Sequence, residues 1–210
     1  MLGLSASLSK GAAVMRSFVK DNLKLYLDFK QKSHNTLKFP CEGSTEFDGT
    51  DDYIDIPTIT TTGDVTCSAW VKTTDTSAVV VGGSGGDGGS NSNFIYIADD
   101  IVYFMSGNGA YATLTFDASV NSDQWNHIAV VKRTGSNVVG YLNGVLQSGV
   151  SYSATLSDTT AVKYIGRRED GNYLDGKIAN VGIWSRVLSL EEVNSVMRKN
   201  YSQLKSVEKT

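Results

Sequence analysis

The feature that most constrains this chain is a run of short segments in which apolar and polar residues alternate, with tight-turn signals between them. A period of two puts successive side chains on opposite faces of a strand, the pattern of a sheet with one buried face. In Val65–Val71, for instance, Val65, Cys67, Ala69 and Val71 fall on one side. Strands are predicted on the same grounds over Leu23–Phe29, Thr45–Phe47, Tyr53–Ile56, Ala78–Val81, Phe94–Ala98, Ile101–Met105 and Tyr111–Phe116, and again over Trp125–Arg133, Val138–Leu142, Val162–Ile165 and Tyr173–Trp184. Asp99-Asp100 and Asn143-Gly144 join such segments, and Asn, Asp and Gly tolerate the positive φ that two-residue hairpins require. Roughly a dozen short strands at this spacing predict an all-β antiparallel β-sandwich or jelly roll. A chain of 210 residues suits one such domain.

Two segments break the pattern. Ser189 with Glu192 three residues on forms a capping-box signature. Val193, Val196, Met197, Tyr201 and Leu204 then recur on one helical stripe, so a helix is expected to pack on the sandwich rim. Residues 1–22 read as a separate arm. Leu2, Leu4, Ala6 and Leu8 alternate with small polar residues, and Val14, Met15, Phe18 and Val19 follow at helical spacing. Such an arm either folds back on its own sandwich or extends a neighbouring sheet, and Leu2, Leu4, Leu8, Val14, Met15, Phe18 and Val19 are its candidate assembly residues. The expected division is an arm over 1–22, a sandwich over 23–205 and a polar tail over 206–210.

Charge excludes one class of partner. The net charge is −3, spread as +5 over residues 1–40, −12 over 41–131 and +4 over 132–210. Nucleic-acid binding needs a net basic face, which the body of this domain lacks. No segment is long and apolar enough to span a bilayer, and no uninterrupted apolar run of a signal peptide opens the chain. Two cysteines, Cys41 and Cys67, do not make a disulfide scaffold, and Cys67 reads as a buried thiol.

Catalytic patterns are weak. Glu46 and Asp48 can share a strand face, as the paired carboxylates of a glycosidase do, but Gly49-Thr50 forms a turn ahead of Asp51. His34 and His127 are the only histidines and form no triad or zinc spacing; His127 reads as a satisfied structural residue. The glycine-rich stretch Gly82–Gly89 lacks the Gly-Lys-Ser/Thr of a P-loop and reads as an inter-strand loop. Ser90, Asn91, Ser92 and Asn93 beyond it are candidate exposed contacts to a ligand or partner. Asp48, Asp51 and Asp52 on one turn, with Asp175 as a weaker fourth, are candidate oxygen ligands for a structural calcium ion, and no other cofactor is expected.

A set of pieces in fixed order carries a family resemblance. It runs through Leu25-Tyr26-Leu27-Asp28, Phe47-Asp48-Gly49-Thr50-Asp51-Asp52-Tyr53-Ile54, Ser68-Ala69-Trp70-Val71-Lys72 and Trp125-Asn126-His127-Ile128-Ala129-Val130-Val131. Tyr141-Leu142-Asn143-Gly144, Tyr164-Ile165-Gly166, Gly176–Trp184 and Leu188–Glu192 complete it. The series resembles the laminin-G-like jelly rolls of the concanavalin-A-like lectin and glucanase fold. The resemblance implies a non-catalytic binding or assembly domain, often with a structural calcium. One departure is that the acid often found after the Gly-x-Ile of the last strand is here Ala179, followed by Asn180, which puts that calcium in doubt.

The arm before Leu23-Lys24-Leu25-Tyr26-Leu27-Asp28-Phe29 also resembles virion proteins of tailed bacteriophages. This implies a capsid-decoration, fibre or tail module, made in the host cytoplasm and residing in the virion. Its partners are then other virion proteins, copies of itself or a cell-surface glycan. The alternatives are a stand-alone lectin domain and a degenerate glycosidase.

Overall fold

The alternating segments resolve into fourteen strands and one helix among the described residues of the computed structural model, which are 23–27, 43–83, 92–135 and 137–199. The arm residues Leu2, Leu4, Leu8, Val14, Met15, Phe18 and Val19 lie outside them, as do Cys41, Tyr201, Leu204 and the tail. The strands form two seven-stranded sheets, antiparallel throughout. The fold is an all-β jelly-roll sandwich.

In the first sheet the order is β1 (Leu23–Leu27), β14 (Asp175–Trp184), β4 (Val65–Lys72), β9 (Asn126–Arg133), β10 (Asn137–Leu142) and β11 (Val145–Gln147). The long β14 pairs through its first half with β2 (Thr45–Asp48) and through its second half with β1. In the second sheet the order is β12 (Gly149–Tyr152), β8 (Tyr111–Thr115), β7 (Ile101–Met105), β6 (Asn93–Ala98), β5 (Ser77–Gly82), β13 (Thr159–Ile165) and β3 (Ile54–Thr62).

Turn chemistry sets the hairpin registers. Asp99 and Asp100 have φ of 47° and 65°, and Asn143 and Gly144 have 52° and 80°, the left-handed pairs that match strand twist. Strand β3 runs through Pro57, beyond the expected Ile56. It does so because it is the sheet edge, where a residue without an N–H breaks no ladder on its open side.

Phe47, Phe94, Ile95, Phe104, Leu114, Ile128, Ile165 and Ile178 fill the space between the sheets and are buried. Full burial of such a side chain contributes about 1.5–3 kcal/mol. Val65, Cys67, Ala69 and Val71 point into this layer, as the alternation predicts. Burial pushes the Cys67 thiol far above its ordinary pKa and keeps it neutral.

Helix α1 (Leu190–Met197) covers the outer face of the first sheet instead of the rim. The reason is a second apolar layer on that face. Trp184, Ala129, Val131 and Tyr141 from the strands meet Leu188, Val193 and Val196. The capping box is complete: the Glu192 N–H donates to Ser189 Oγ at 3.2 Å, and the Ser189 N–H donates to Glu192 Oε2 at 2.8 Å. At the other end Trp70 Nε1 donates to the Met197 carbonyl at 3.1 Å.

His127 lies on this covered face with its ring centroid 5.4 Å from that of Trp70. It is buried, as a structural histidine should be, but it is not satisfied: among the described residues neither ring nitrogen has a hydrogen-bond partner. Burial lowers its pKa to about 3.

Two predictions follow from the covered face. Ser189→Ala should lower stability by about 1 kcal/mol in urea unfolding, since it orphans an N-terminal amide of α1. The second concerns pH. The unfolded chain protonates His127 below about pH 6.5, whereas the folded one holds it neutral down to about 3. The unfolded state therefore binds more protons across that window, and stability falls as pH drops from 6.5 toward 3. By pH 5 this residue alone should account for about 2 kcal/mol of lost stability. His127→Leu should flatten the corresponding part of the urea-midpoint profile.

Candidate functional site

With one outer face covered by α1, the outer face of the second sheet is the broad strand surface on which side chains alternate away from the core. Val102, Phe104, Ala112 and Leu114 turn inward from β7 and β8, which sends Tyr103, Tyr111 and Thr113 outward. Cross-strand register then aligns tyrosines from neighbouring strands. Tyr96 on β6 pairs with Tyr103 on β7, with ring centroids 5.5 Å apart, and Tyr103 lies 5.7 Å from Tyr111 on β8. Thr113 and Ser151 share a hydroxyl–hydroxyl hydrogen bond at the β8–β12 edge.

The row continues across β5 through hydrogen bonds. Ser77 Oγ and Tyr96 Oη are 3.2 Å apart, and Asn172 Nδ2 donates to Ser77 Oγ at 2.8 Å. Arg168 lies over the Tyr96 ring, 5.5 Å from its centroid, with Nε donating to Asp170 at 2.7 Å. Tyr53, just ahead of β3, extends the aromatic surface over buried Tyr164 of β13, their rings nearly perpendicular with centroids 5.7 Å apart. Tyr53 and Tyr111 are exposed; Tyr96 and Tyr103 are half-buried. Such rings offer flat apolar faces with polar tips, a surface suited to amphipathic planar ligands. The phenol of Tyr103 is held above its usual pKa, first by burial and then by the neighbouring Tyr111 and Tyr96 oxygens and by Asp99. Sequence reading passed over these tyrosines because aromatics on strands are also ordinary sheet formers.

The glycine-rich loop supplies less than expected. Ser90 and Asn91 lie outside the described residues. Ser92 and Asn93 are fully buried, so they are not exposed contacts. Asn93 opens β6 and pairs with Gly82, and its Nδ2 donates to the Met105 sulfur at 3.1 Å, which pulls it into the sheet.

The acidic turn does assemble in part. Carboxylate oxygens of Asp48, Asp51 and Asp52 lie within 4.8 Å of one another, all exposed. Asp48 Oδ1 accepts the Thr50 N–H at 2.8 Å and the Asp51 N–H at 3.4 Å, which curls the turn and gathers the three acids. Asp175 faces Asp48 across the β2–β14 ladder, and its N–H donates to Asp75 Oδ2 at 3.3 Å, but it is not within that group. An all-oxygen set of three exposed carboxylates fits a hard cation such as calcium.

A family model described as the concanavalin A-like lectin/glucanases superfamily matches residues 48–194. The chain belongs to this superfamily. No curated protein matches it in sequence. Among solved structures of the same fold, domain 4 of a GH43 extracellular arabinanase from Geobacillus stearothermophilus, solved with arabinotriose, is 16% identical with a TM-score of 0.59, over 87% of this chain and 96% of that one. The receptor-binding domain of botulinum neurotoxin D is 16% identical with a TM-score of 0.57; 85% of this chain is covered, but only 53% of that one, so the chain spans about half the neurotoxin domain. A heptameric SAP-like pentraxin from Limulus polyphemus is 13% identical with a TM-score of 0.56, over 88% and 89% of the two chains.

Two features of the superfamily reading take definite positions. Ala179 is buried on the α1 side against Trp70 and Met197. It lies four positions along β14 from Asp175, about 13 Å along a strand, so an acid there would sit apart from the Asp48–Asp52 turn. Glu46 and Asp48 do share the exposed face of β2, on either side of buried Phe47. Glu46 is engaged by Lys177 at 3.2 Å, and Asp48 by the turn amides.

Proposed function

We propose that this domain is a non-catalytic glycan-binding module and that it binds through the outer face of the second sheet. The single observation that carries the reading is the row Tyr96–Tyr103–Tyr111, which lays three rings side by side over three adjacent strands. Sugar rings present apolar C–H faces and equatorial hydroxyls, and tyrosines answer both, by stacking and through the phenol oxygen. Ser77, Thr113, Ser151 and Asn172 border the row with further hydroxyl and amide groups. The arabinanase domain of like fold, solved with arabinotriose, supports a saccharide ligand.

The non-catalytic part of the reading rests on the acids of β2. Glu46 and Asp48 are taken up by Lys177 and by turn amides. The wider context we propose is a virion, with the domain displayed on a capsid, fibre or tail and attached through residues 1–22. That context rests on the resemblance of the opening segment alone.

Tyr103→Ala should weaken saccharide binding by about tenfold or more, roughly 1.4 kcal/mol, in titration against oligosaccharides selected on an array. Its unfolding midpoint should move little, because a half-buried outward ring contributes little to the core. Loss of folding without loss of affinity in the folded fraction would sink the assignment of this face. Calcium is given a supporting role only: by linkage it should raise the melting temperature by a few degrees at most, with Asp51→Asn removing the effect. Complete unfolding in excess chelator would show the acidic turn to be essential to the fold.

A further inference from the structure

We propose that the corner built by Arg167, Tyr53, Tyr164 and Tyr173 is a subsite for a carboxylate-bearing sugar residue, so that the sheet face prefers acidic to neutral glycans. The inference rests on the glycan-binding reading above and names its ligand class. The guanidinium carbon of Arg167 lies 4.2 Å from the Tyr53 ring centroid, 4.1 Å from that of Tyr164 and 5.7 Å from that of Tyr173. One nitrogen, Nη1, donates to Tyr173 Oη at 3.4 Å. The corner is thus a cation set into a three-sided aromatic frame.

What distinguishes Arg167 is the missing counterion. Three cations crowd this end of the sheet. Lys163 has Asp55 at 3.9 Å, and Arg168 has Asp170 at 2.7 Å. Arg167 has no carboxylate within ion-pair distance among the described residues, and its Nε is buried without an acceptor. Cation–π contacts occupy the faces of a guanidinium and leave its edge as the side from which an anion binds; here Nη1 is on Tyr173 Oη and Nε is buried, so a carboxylate meets the outer Nη edge in charge-assisted hydrogen bonds. A purely structural cation–π cluster explains the rings but not why the one unpaired charge of the three is the one they enclose.

The corner is also joined to the tyrosine row. Arg167 pairs with Tyr173 across a short hairpin, and in that hairpin Arg168 reaches back over Tyr96 while Asn172 binds Ser77. Close packing holds the corner in place: a Cβ on Gly82 would come within 2.6 Å of the Arg167 carbonyl oxygen. An oligosaccharide lying on Tyr111, Tyr103 and Tyr96 therefore has the arginine corner at the far side of the row, where a carboxylate on a ring substituent meets Arg167.

The test uses the full chain with three probes: trigalacturonate, galactotriose as its neutral counterpart, and a heparin-derived hexasaccharide, backed by a broad glycan array. Trigalacturonate should bind about tenfold tighter than galactotriose at low ionic strength, with the margin shrinking as salt rises. Arg167→Gln should erase that margin, while Tyr103→Ala weakens both trisaccharides alike. Because Arg167→Gln removes packing from the tyrosine corner, Arg167→Lys serves as the second variant. It keeps the charge and should retain only part of the margin; the unfolding midpoint of each variant is measured alongside. Equal affinity for the two trisaccharides, or an acid preference that survives Arg167→Gln, overturns the subsite and leaves the glycan reading standing. Preference for the heparin hexasaccharide with none for trigalacturonate overturns the carboxylate assignment. Absence of binding across the whole array overturns both the subsite and the glycan reading.

Discussion

A sheet has two faces, and in this domain the fate of each face decides everything else. The inner faces of the two sheets bury one another through Phe47, Phe94, Phe104, Ile128 and Ile178. That leaves two outer faces, which the sequence treats differently. On the first sheet the outward positions are Trp184, Ala129, Val131 and Tyr141, and this apolar layer brings α1 down onto it. On the second sheet the outward positions include Tyr96, Tyr103, Tyr111, Thr113 and Ser151 beside Ile101 and Met105, a mixed surface whose polar tips are stable against water. Among the described residues, the asymmetry leaves one broad strand surface uncovered.

The long strand β14 makes the asymmetry possible. It pairs with β2 and β1 on one side and β4 on the other, and a register shift between Ala179 and Gly182 lies within it. Asn180 takes φ of 50° at that point and is buried, its amide without a partner among the described residues. A bulge of this kind adds twist and bends a strand. His127 beneath the covered face is likewise without a hydrogen-bond partner among the described residues. That face is held by apolar packing, by two hydrogen-bonded helix ends, and by polar ties at its margin, where Arg186 pairs with Glu192 at 2.7 Å and Thr66 Oγ1 links the Arg186 carbonyl to the Leu188 N–H.

The opposite face derives its character from register. Tyr96, Tyr103 and Tyr111 are separated by turns in sequence, and only antiparallel pairing puts them in line. The arginine hairpin arrives from another part of the chain altogether, after β13, and meets Tyr53 from the start of β3. Neighbouring cations are neutralised by local carboxylates, so the open charge at Arg167 is a property of the assembled surface and not of local composition.

By itself, the sequence determined the class of fold, the strand-by-strand alternation, the hairpins at Asp99-Asp100 and Asn143-Gly144, the cap at Ser189 and Glu192, and the grouping of Asp48, Asp51 and Asp52. All of these depend on residues close together in the chain, where turn geometry and a period of two are direct readouts of side-chain chemistry. The tertiary structure decided that α1 covers a sheet face and not the rim, that Ser92 and Asn93 are buried, and that β3 runs on through Pro57 because it is an edge. It also decided the tyrosine row and the arginine corner. These depend on which strands become neighbours and in which register, and no local pattern specifies that: pairing partners far apart in sequence are selected by burial of the whole inner layer at once.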